Sequence, residues 1–574
     1  MPIYSGQTRA RIVGVEVALA AVAAAAAAGT PGAWLVAAPS AVAALALGLG
    51  RPRQRPLPAW CATALRYAFR ARHLPAGAGP AALLALVDST ALAEATVLED
   101  AGGLTTVLEV GDATSLIGGA LTLPAPADLL PAPVADGPSL RLQFLVTGVP
   151  APAARAAAGI AATSYRQLTE GWIPASCQVL LAVRACRDDP VWTDADLRRP
   201  LESTVRRIRR RLAQDGIPAR TLAPGALPAA LAGLAHHDPA WPVREGWTDL
   251  RAGGLHQASV LVERWPGAGS GVATMLVSRL LCLPASAVCV GLIAGPEGSQ
   301  VVVRVAAPTA AGLAAARATL HRLLAAAGAT GTGLLAEQVE GLGATLPLAR
   351  LRWPGPAAGS AVALPPAGLM VGRNRRGEPV TVRLTGPEPT RAALFGGVRA
   401  AALLAVRALA LGTRVVVQTA RPGTWEVILR GVSTPVDPIA LVPPGQLPGA
   451  PPPGPLAPHL LVLDLGGAPD TATVPPAPWR TTLVVRDDLA EADLDLLAHA
   501  DLAILQPLSA TEAALAGAAL RLGESQAWLT MIQSDMIAVV SRGRVCWARL
   551  SATPIELQAI GAPERLAVAR AVSG

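Results

Sequence analysis

Ala392-Ala393-Leu394-Phe395-Gly396-Gly397-Val398-Arg399-Ala400-Ala401-Ala402 decides the fold class of the C-terminal half of the chain. The apolar run 392–395 reads as a buried strand, and the Ala/Leu-rich stretch from Val398 to Leu411 as a helix. Two glycines between a strand and a helix make a potential phosphate cradle, because backbone N–H groups at a helix N-terminus face an anion. Working outward, residues 380–384, 414–418, 460–464, 482–485 and 502–505 read as further strands. Helices follow near 490–500 and 510–522. A closing hairpin spans 536–550 around Arg542-Gly543, and the Pro-rich stretch 443–458 is a loop. Strands alternating with helices give an α/β domain over residues 360–574.

The chemistry of that cradle is limited by composition. The chain has 574 residues, 52% hydrophobic and 15% charged, with a net charge of +8. All 48 basic residues are Arg, and Asn374 is the single Asn. Without lysine there is no Schiff base and no phosphate-loop lysine. At Gly396-Gly397-Val398-Arg399 the loop is shortened and lacks the Mg²⁺-binding hydroxyl, and Arg399 is no substitute for a compact ammonium. Leu461-Val462-Leu463-Asp464 ends like a Walker B strand, but Leu465 follows where a catalytic acid is expected. Six cysteines (Cys61, Cys177, Cys186, Cys282, Cys289, Cys546) form no C-x-x-C pair and read as reduced thiols of a cytosol-facing body. His236-His237-Asp238 lacks the spacing of a helical zinc site. Asp188-Asp189 and Asp487-Asp488 each follow a strand, where they serve either as turn residues or as the metal-binding acids of a sugar transferase. The expectation is no catalytic residue, no metal and no cofactor.

The excess of apolar residues collects at the N-terminus. Residues 12–28 are broken only by Glu16, and 33–50 carry no charge; at ~26 Å each, they are near the lower limit for crossing a hydrocarbon core. The turn Gly29-Thr30-Pro31-Gly32 joins them as an antiparallel hairpin. Arg9 and Arg11 before it, and Arg51, Arg53 and Arg55 after it, put both ends in the cytoplasm. A cleaved signal peptide and a buried hairpin of a soluble body compete. Length, pairing and flanks together favour a two-helix transmembrane hairpin over residues 1–54 in the cell membrane, contacting lipid through 12–28 and 33–50. Residues 60–72 mix Trp60, Tyr67 and Phe69 with Arg66, Arg70 and Arg72 at helical spacing. They suit either a helix on the headgroup surface or one packed on the soluble body.

Residues 55–350 form a second α/β, or α+β, domain. A hairpin turns at Asp100-Ala101-Gly102-Gly103. Strands are expected at 140–146, 177–184, 257–263 and 299–305, with helices at 151–168, 196–214 and 313–327. The helix bearing Arg198, Arg199, Arg206, Arg207, Arg209, Arg210 and Arg211 presents either a solvated face or one for an acidic protein or lipid. No aromatic interleaving accompanies the charge, so nucleic acid is not the expected partner.

Four segments carry a family resemblance: Arg244-Glu245-Gly246-Trp247, Gly254-Leu255-His256-Gln257, Glu263-Arg264-Trp265-Pro266 and Gly341-Leu342-Gly343-Ala344-Thr345-Leu346-Pro347-Leu348. With the hairpin and the Arg/Trp/Tyr helix, they resemble the EccE family of the actinobacterial type VII (ESX) secretion membrane complex, over roughly residues 1–350. The resemblance implies a structural subunit beside EccB, the ATPase EccC and EccD, with no catalytic residue to carry over. The element order of the C-terminal domain resembles the P-loop ATPase domains of the FtsK/EccC type in degenerate form. The alternative is a membrane-anchored enzyme with a transferase-like or NTPase-like domain.

Overall fold

The structure is a computed structural model of the 574-residue chain. It describes residues 57–565, apart from 89–90, 95, 113, 134–136, 155, 157–158, 224, 268, 356–359, 431–438, 447–448, 450 and 467–474, together with 16, 18–20, 22–30 and 37–42. Most of the expected transmembrane hairpin, residues 12–28 and 33–50, thus lies outside the described residues or is described in fragments. Residues 22–28 and 37–42 are helical, and Ala18 packs against Ala41. Among the described residues no helix is long and apolar enough to cross a membrane.

The N-terminal sheet has thirteen strands, paired antiparallel throughout, so of the two readings of residues 55–350 the chain adopts α+β. Its centre repeats one plan twice. Gly103–Val110, Leu140–Val149, Ser176–Cys186 and Ala219–Thr221 lie in the spatial order 4-1-3-2. Leu255–Arg264, Ala287–Gly295, Gly298–Ala307 and Thr330–Gly333 do the same. Each set has a long helix between its third and fourth strands, Asp194–Gln214 and Ala310–Ala326. Each also has a shorter one between its first and second, Pro126–Leu129 and Gly271–Leu280. This is the split βαβ, ferredoxin-like plan. The two units abut through their second strands, from Val288 opposite Gly148 to Ala294 opposite Leu142.

Both faces of this sheet are covered, which is why 287–294 is a continuous apolar run without alternation. One face packs Leu197, Leu201, Ile208 and Leu212 beside Leu313, Ala316, Leu320 and Leu324. These recur at helical spacing, which leaves the arginines of Asp194–Gln214 outward. Thr193 starts that helix with a capping box to Asp196. The other face carries the helices Pro80–Asp88, Ala226–Ala235 and Gln338–Gly343, through Leu83, Leu84, Leu231 and Leu342.

The helix expected at 151–168 is shorter, Ile160–Thr169. Bends and turns replace its first part around Pro150 and Pro152, which have no N–H to donate to a helical ladder. The surviving helix packs on the C-terminal sheet rather than on its own. Tyr165 is fully buried; its hydroxyl donates to Gly368 O (3.1 Å) and accepts from Met370 N–H (3.0 Å). Ser164 and Thr553 share a hydroxyl hydrogen bond of 2.6 Å. Leu121–Leu123 pairs with Val362–Leu364, so the two sheets are joined both by a ribbon and by a shared core.

Five parallel strands form the heart of the second sheet: Thr390–Phe395, Arg414–Thr419, His459–Asp464, Arg480–Arg486 and Leu502–Leu505. They lie in the spatial order 5-1-4-3-2. Ala440–Val442 flanks the second. Met536–Ser541, Arg544–Arg549, Leu369–Arg373 and Pro379–Val382 extend the other side antiparallel. The helix Val398–Ala410 is buried from Ala400 onward, hence apolar on every side except at Arg407.

Arg407 is 0% exposed. Its Nε and one Nη donate to Glu556 at 2.9 Å each, and the other Nη donates to Met370 O and Val371 O at 3.0 Å. Ser551 O accepts the remaining N–H, so all five donors are satisfied. Removing one partner from such a pair leaves a buried charge, at a cost of about 3–5 kcal/mol. Glu556→Ala is therefore expected to destabilise the chain by that amount, and Arg407→Met with Glu556→Met to recover most of it. Denaturant unfolding of the three proteins measures the difference.

Candidate functional site

Because the five central strands are parallel, their carboxyl ends share one edge of the sheet. Phe395, Thr419, Asp464, Arg486 and Leu505 end there. Ligand crevices of open α/β sheets lie outside the carboxyl ends, where the chain turns to opposite sides of one strand. Thr390–Phe395 is that strand: the chain leaves it for three strands on one side and returns to Leu502–Leu505 on the other. Gly396-Gly397, Asp464 and Asp487-Asp488 all fall at this edge. Sequence reasoning named them separately, and the fold brings them together.

The cradle at Gly396-Gly397 is filled by the chain itself. Gly397 N–H donates to Gln506 Oε1 (2.7 Å), and Gly396 N–H to Arg486 O (2.8 Å). A Cβ at residue 396 would stand 2.1 Å from Gln506 Oε1, so what closes on that glycine is a protein side chain. Gln506 Nε2 donates to Pro563 O (2.6 Å), and Arg399 reaches Ala562 O (3.5 Å). The segment Gly561–Arg565 therefore crosses the loop where a phosphate chain would run.

Arg565 fastens that segment. It donates to Asp487 O (2.9 Å), Pro507 O (2.6 Å), Asp488 Oδ1 (2.9 Å) and both oxygens of Glu512. Burial pushes the Glu512 carboxyl up. The Arg565 guanidinium and the N–H groups of Leu489 and Ser509 outweigh burial and hold its pKa at about 2.

Asp464, the Walker B-like position, is equally engaged. Its buried carboxylate accepts from Thr419 Oγ1 (3.0 Å), Trp425 Nε1 (2.7 Å), and Arg421 Nε (2.9 Å) and Nη2 (2.7 Å). Arg421 also pairs with Asp487 at 2.6 Å, and its hydrogen bonds to Asp487 and Asp464 raise its pKa. A carboxylate with this many donors is neutralised by the protein itself. Neither the loop nor Asp464 fits a Mg²⁺–nucleotide pair.

The remaining candidates lie in the N-terminal half, away from this edge. His237 Nε2 contacts Ala78 O at 2.8 Å, burial beside Arg304 drives His236 down to about 3, and Asp238 accepts from Ala240 N–H. Asp188 accepts from the distant Ser139 N–H, and Asp189 closes a turn by accepting from Val191 N–H. Among the described residues no group of His, Cys, Asp and Glu could hold a metal ion. Sequence reasoning missed Gln506, Arg421, Glu512 and Arg565. Gln506 and Arg421 follow apolar strands within two residues, the position that singled out Asp464, and the same rule would have found them.

Residues 193–261 match the family model EccE, described as "Putative type VII ESX secretion system translocon, EccE". The matched region runs from the arginine-rich helix through most of Leu255–Arg264, joining the two ferredoxin-like units. No curated protein matches. Among solved structures, the chain is similar to the cytoplasmic domain of the Thermomonospora curvata type VII secretion ATPase EccC. That likeness has 12% identity and a TM-score of 0.22, and covers 34% of this chain and 31% of that one. The chain thus spans about a third of that structure, and a likeness this loose carries no argument.

The depressed Glu512 carboxyl gives the closure a pH signature. A carboxyl lowered on folding adds stability above its unfolded value, 4.5, that is lost as pH falls toward 2. Glu512→Gln is expected to be less stable than the native chain at pH 7, with the gap narrowing steadily below pH 4.5. Unfolding midpoints at pH 7 and pH 3 measure it.

Proposed function

We infer that the chain is a non-catalytic, membrane-anchored structural subunit of a type VII (ESX) secretion complex. Its N-terminal hairpin packs among the other membrane subunits, of the EccB, EccC and EccD type, with both termini in the cytoplasm. Its two sheets contact the motor ATPase or its neighbours. The family match over 193–261 supports the secretion assignment. The observation that carries the non-catalytic reading is the cradle at Gly396-Gly397, occupied by Gln506 and Gly561–Arg565 in a chain without lysine.

The C-terminal sheet is then a vestigial nucleotide-binding core. The glycine turn, the following helix and the Asp464 strand keep the positions of a phosphate-binding fold, while each group that would meet the nucleotide is turned to internal contacts. Such a core offers the shape of an ATPase domain without its turnover, which suits docking beside a true motor.

Full-length protein purified from membranes is expected to turn over ATP no faster than buffer, with Asp464→Ala making no difference. Hydrolysis abolished by Asp464→Ala would sink the reading. Affinity purification in gentle detergent is expected to recover the other membrane subunits of the complex. Recovery as a lone monomer counts against the scaffold.

A further inference from the structure

The helix Leu57–Phe69 is split along its length. Trp60, Thr63, Tyr67 and Arg70 face the body. Trp60 stacks on Trp247 with centroids 6.0 Å apart, and Tyr67 meets the same indole edge-on at 5.3 Å. Tyr67 donates to Glu245 O (3.3 Å) and Arg70 to Ala336 O (2.8 Å). Arg70 also pairs with Glu245 and Glu340, and Arg66 with Glu337. At 3.6 residues per turn, Cys61, Ala62, Leu65, Ala68 and Phe69 fall within about 120° on the opposite side. All five are exposed, Leu65 by 59% and Phe69 by 86%, the largest exposure of a large apolar side chain among the described residues. Arg66 borders this arc, and Arg72, 4.4 Å from the Tyr67 ring, stands beyond its end.

We propose that this face lies in the headgroup layer of the bilayer, with Leu65 and Phe69 among the acyl chains and Arg66 and Arg72 against anionic lipid phosphates. The proposal rests on the reading of 12–28 and 33–50 as membrane spans. Residues 51–56 tie the second apolar run to Leu57, a reach of at most ~25 Å, and three of the six are Arg. The helix itself is ~20 Å long, too short to cross, and the Trp247 stack and the three glutamates fix its rotation. It therefore lies flat, apolar arc outward and cationic rim beside it, as an interfacial helix does. A second copy docked on the same arc would bring Arg66 and Arg72 of both chains together, so charge selects an anionic surface over self-association.

The orientation of the body follows. Glu337 and Glu340 belong to the sheet face that carries Gln338–Gly343, so that face is turned to the membrane. The helix Asp194–Gln214 lies on the other face, and its arginines look away from lipid.

The test uses the full chain in proteoliposomes with and without phosphatidylglycerol. Cys61, the only exposed cysteine of the six, takes a nitroxide label directly. Leu65→Cys and Phe69→Cys take it in a Cys61→Ser background, with Arg210→Cys as the control on the far face. Labels at 61, 65 and 69 are expected to be relaxed severalfold more by oxygen than by a water-soluble nickel chelate, and the label at 210 the reverse. Leu65→Ser with Phe69→Ser, or omission of phosphatidylglycerol, is expected to move the Cys61 label toward water. A carbonate-resistant chain whose three labels all see water overturns the surface proposal and leaves the hairpin standing. Dipolar broadening between Cys61 labels of two chains also overturns it, with a second copy as the occupant. Release of the chain by carbonate overturns the hairpin reading instead.

Discussion

Arg407 and Glu556 hold the C-terminal half in its present form. The ion pair is buried at the centre of the sheet's packed face, and Arg407 lies on the helix that follows Gly396-Gly397. Through Met370, Val371 and Ser551 it also fixes the antiparallel extension of the sheet. Glu556 lies on Pro554–Ile560, whose end feeds Gly561–Arg565 across the Gly396-Gly397 turn. One guanidinium thus sets both the helix that follows the glycine turn and the segment that crosses that turn. Desolvating two charges is expensive, and the geometry offsets it only because every donor finds an acceptor.

Arginine does this work throughout the molecule. Arg184 with Asp100, Arg304 with Gln257 and Thr345, Arg421 with Asp464, and Arg565 with Glu512 are all buried or half-buried pairings. A planar fork with five donors serves a structural role well, and its charge persists at any pH a cell reaches. The same property suits it poorly to the transient charge changes of catalysis.

The parallel sheet was legible in the sequence because buried parallel strands are unbroken apolar runs with glycines or charges at their ends, as at 390–395 and 459–464. The first domain was legible only as α/β or α+β, and its strand order was not. Ala287–Gly295 is an apolar run that periodicity cannot tell from a buried helix, and the antiparallel 4-1-3-2 order depends on pairings between distant segments. Asp464 and the glycine pair could be named from local pattern, whereas Arg565 could not, since its partner Glu512 is 53 residues away. The helix Leu57–Phe69 shows the same limit. Its mixture of rings and arginines supported two readings, and the structure gives each to one side: the body holds Trp60 and Tyr67, and Phe69 is left outside.

The seam between Leu140–Val149 and Ala287–Gly295 has a mechanical meaning. Two units joined by a loop or by side chains can separate, but two units sharing one hydrogen-bonded ladder part only by breaking successive backbone pairs. The thirteen strands therefore twist and curl as one sheet rather than as two.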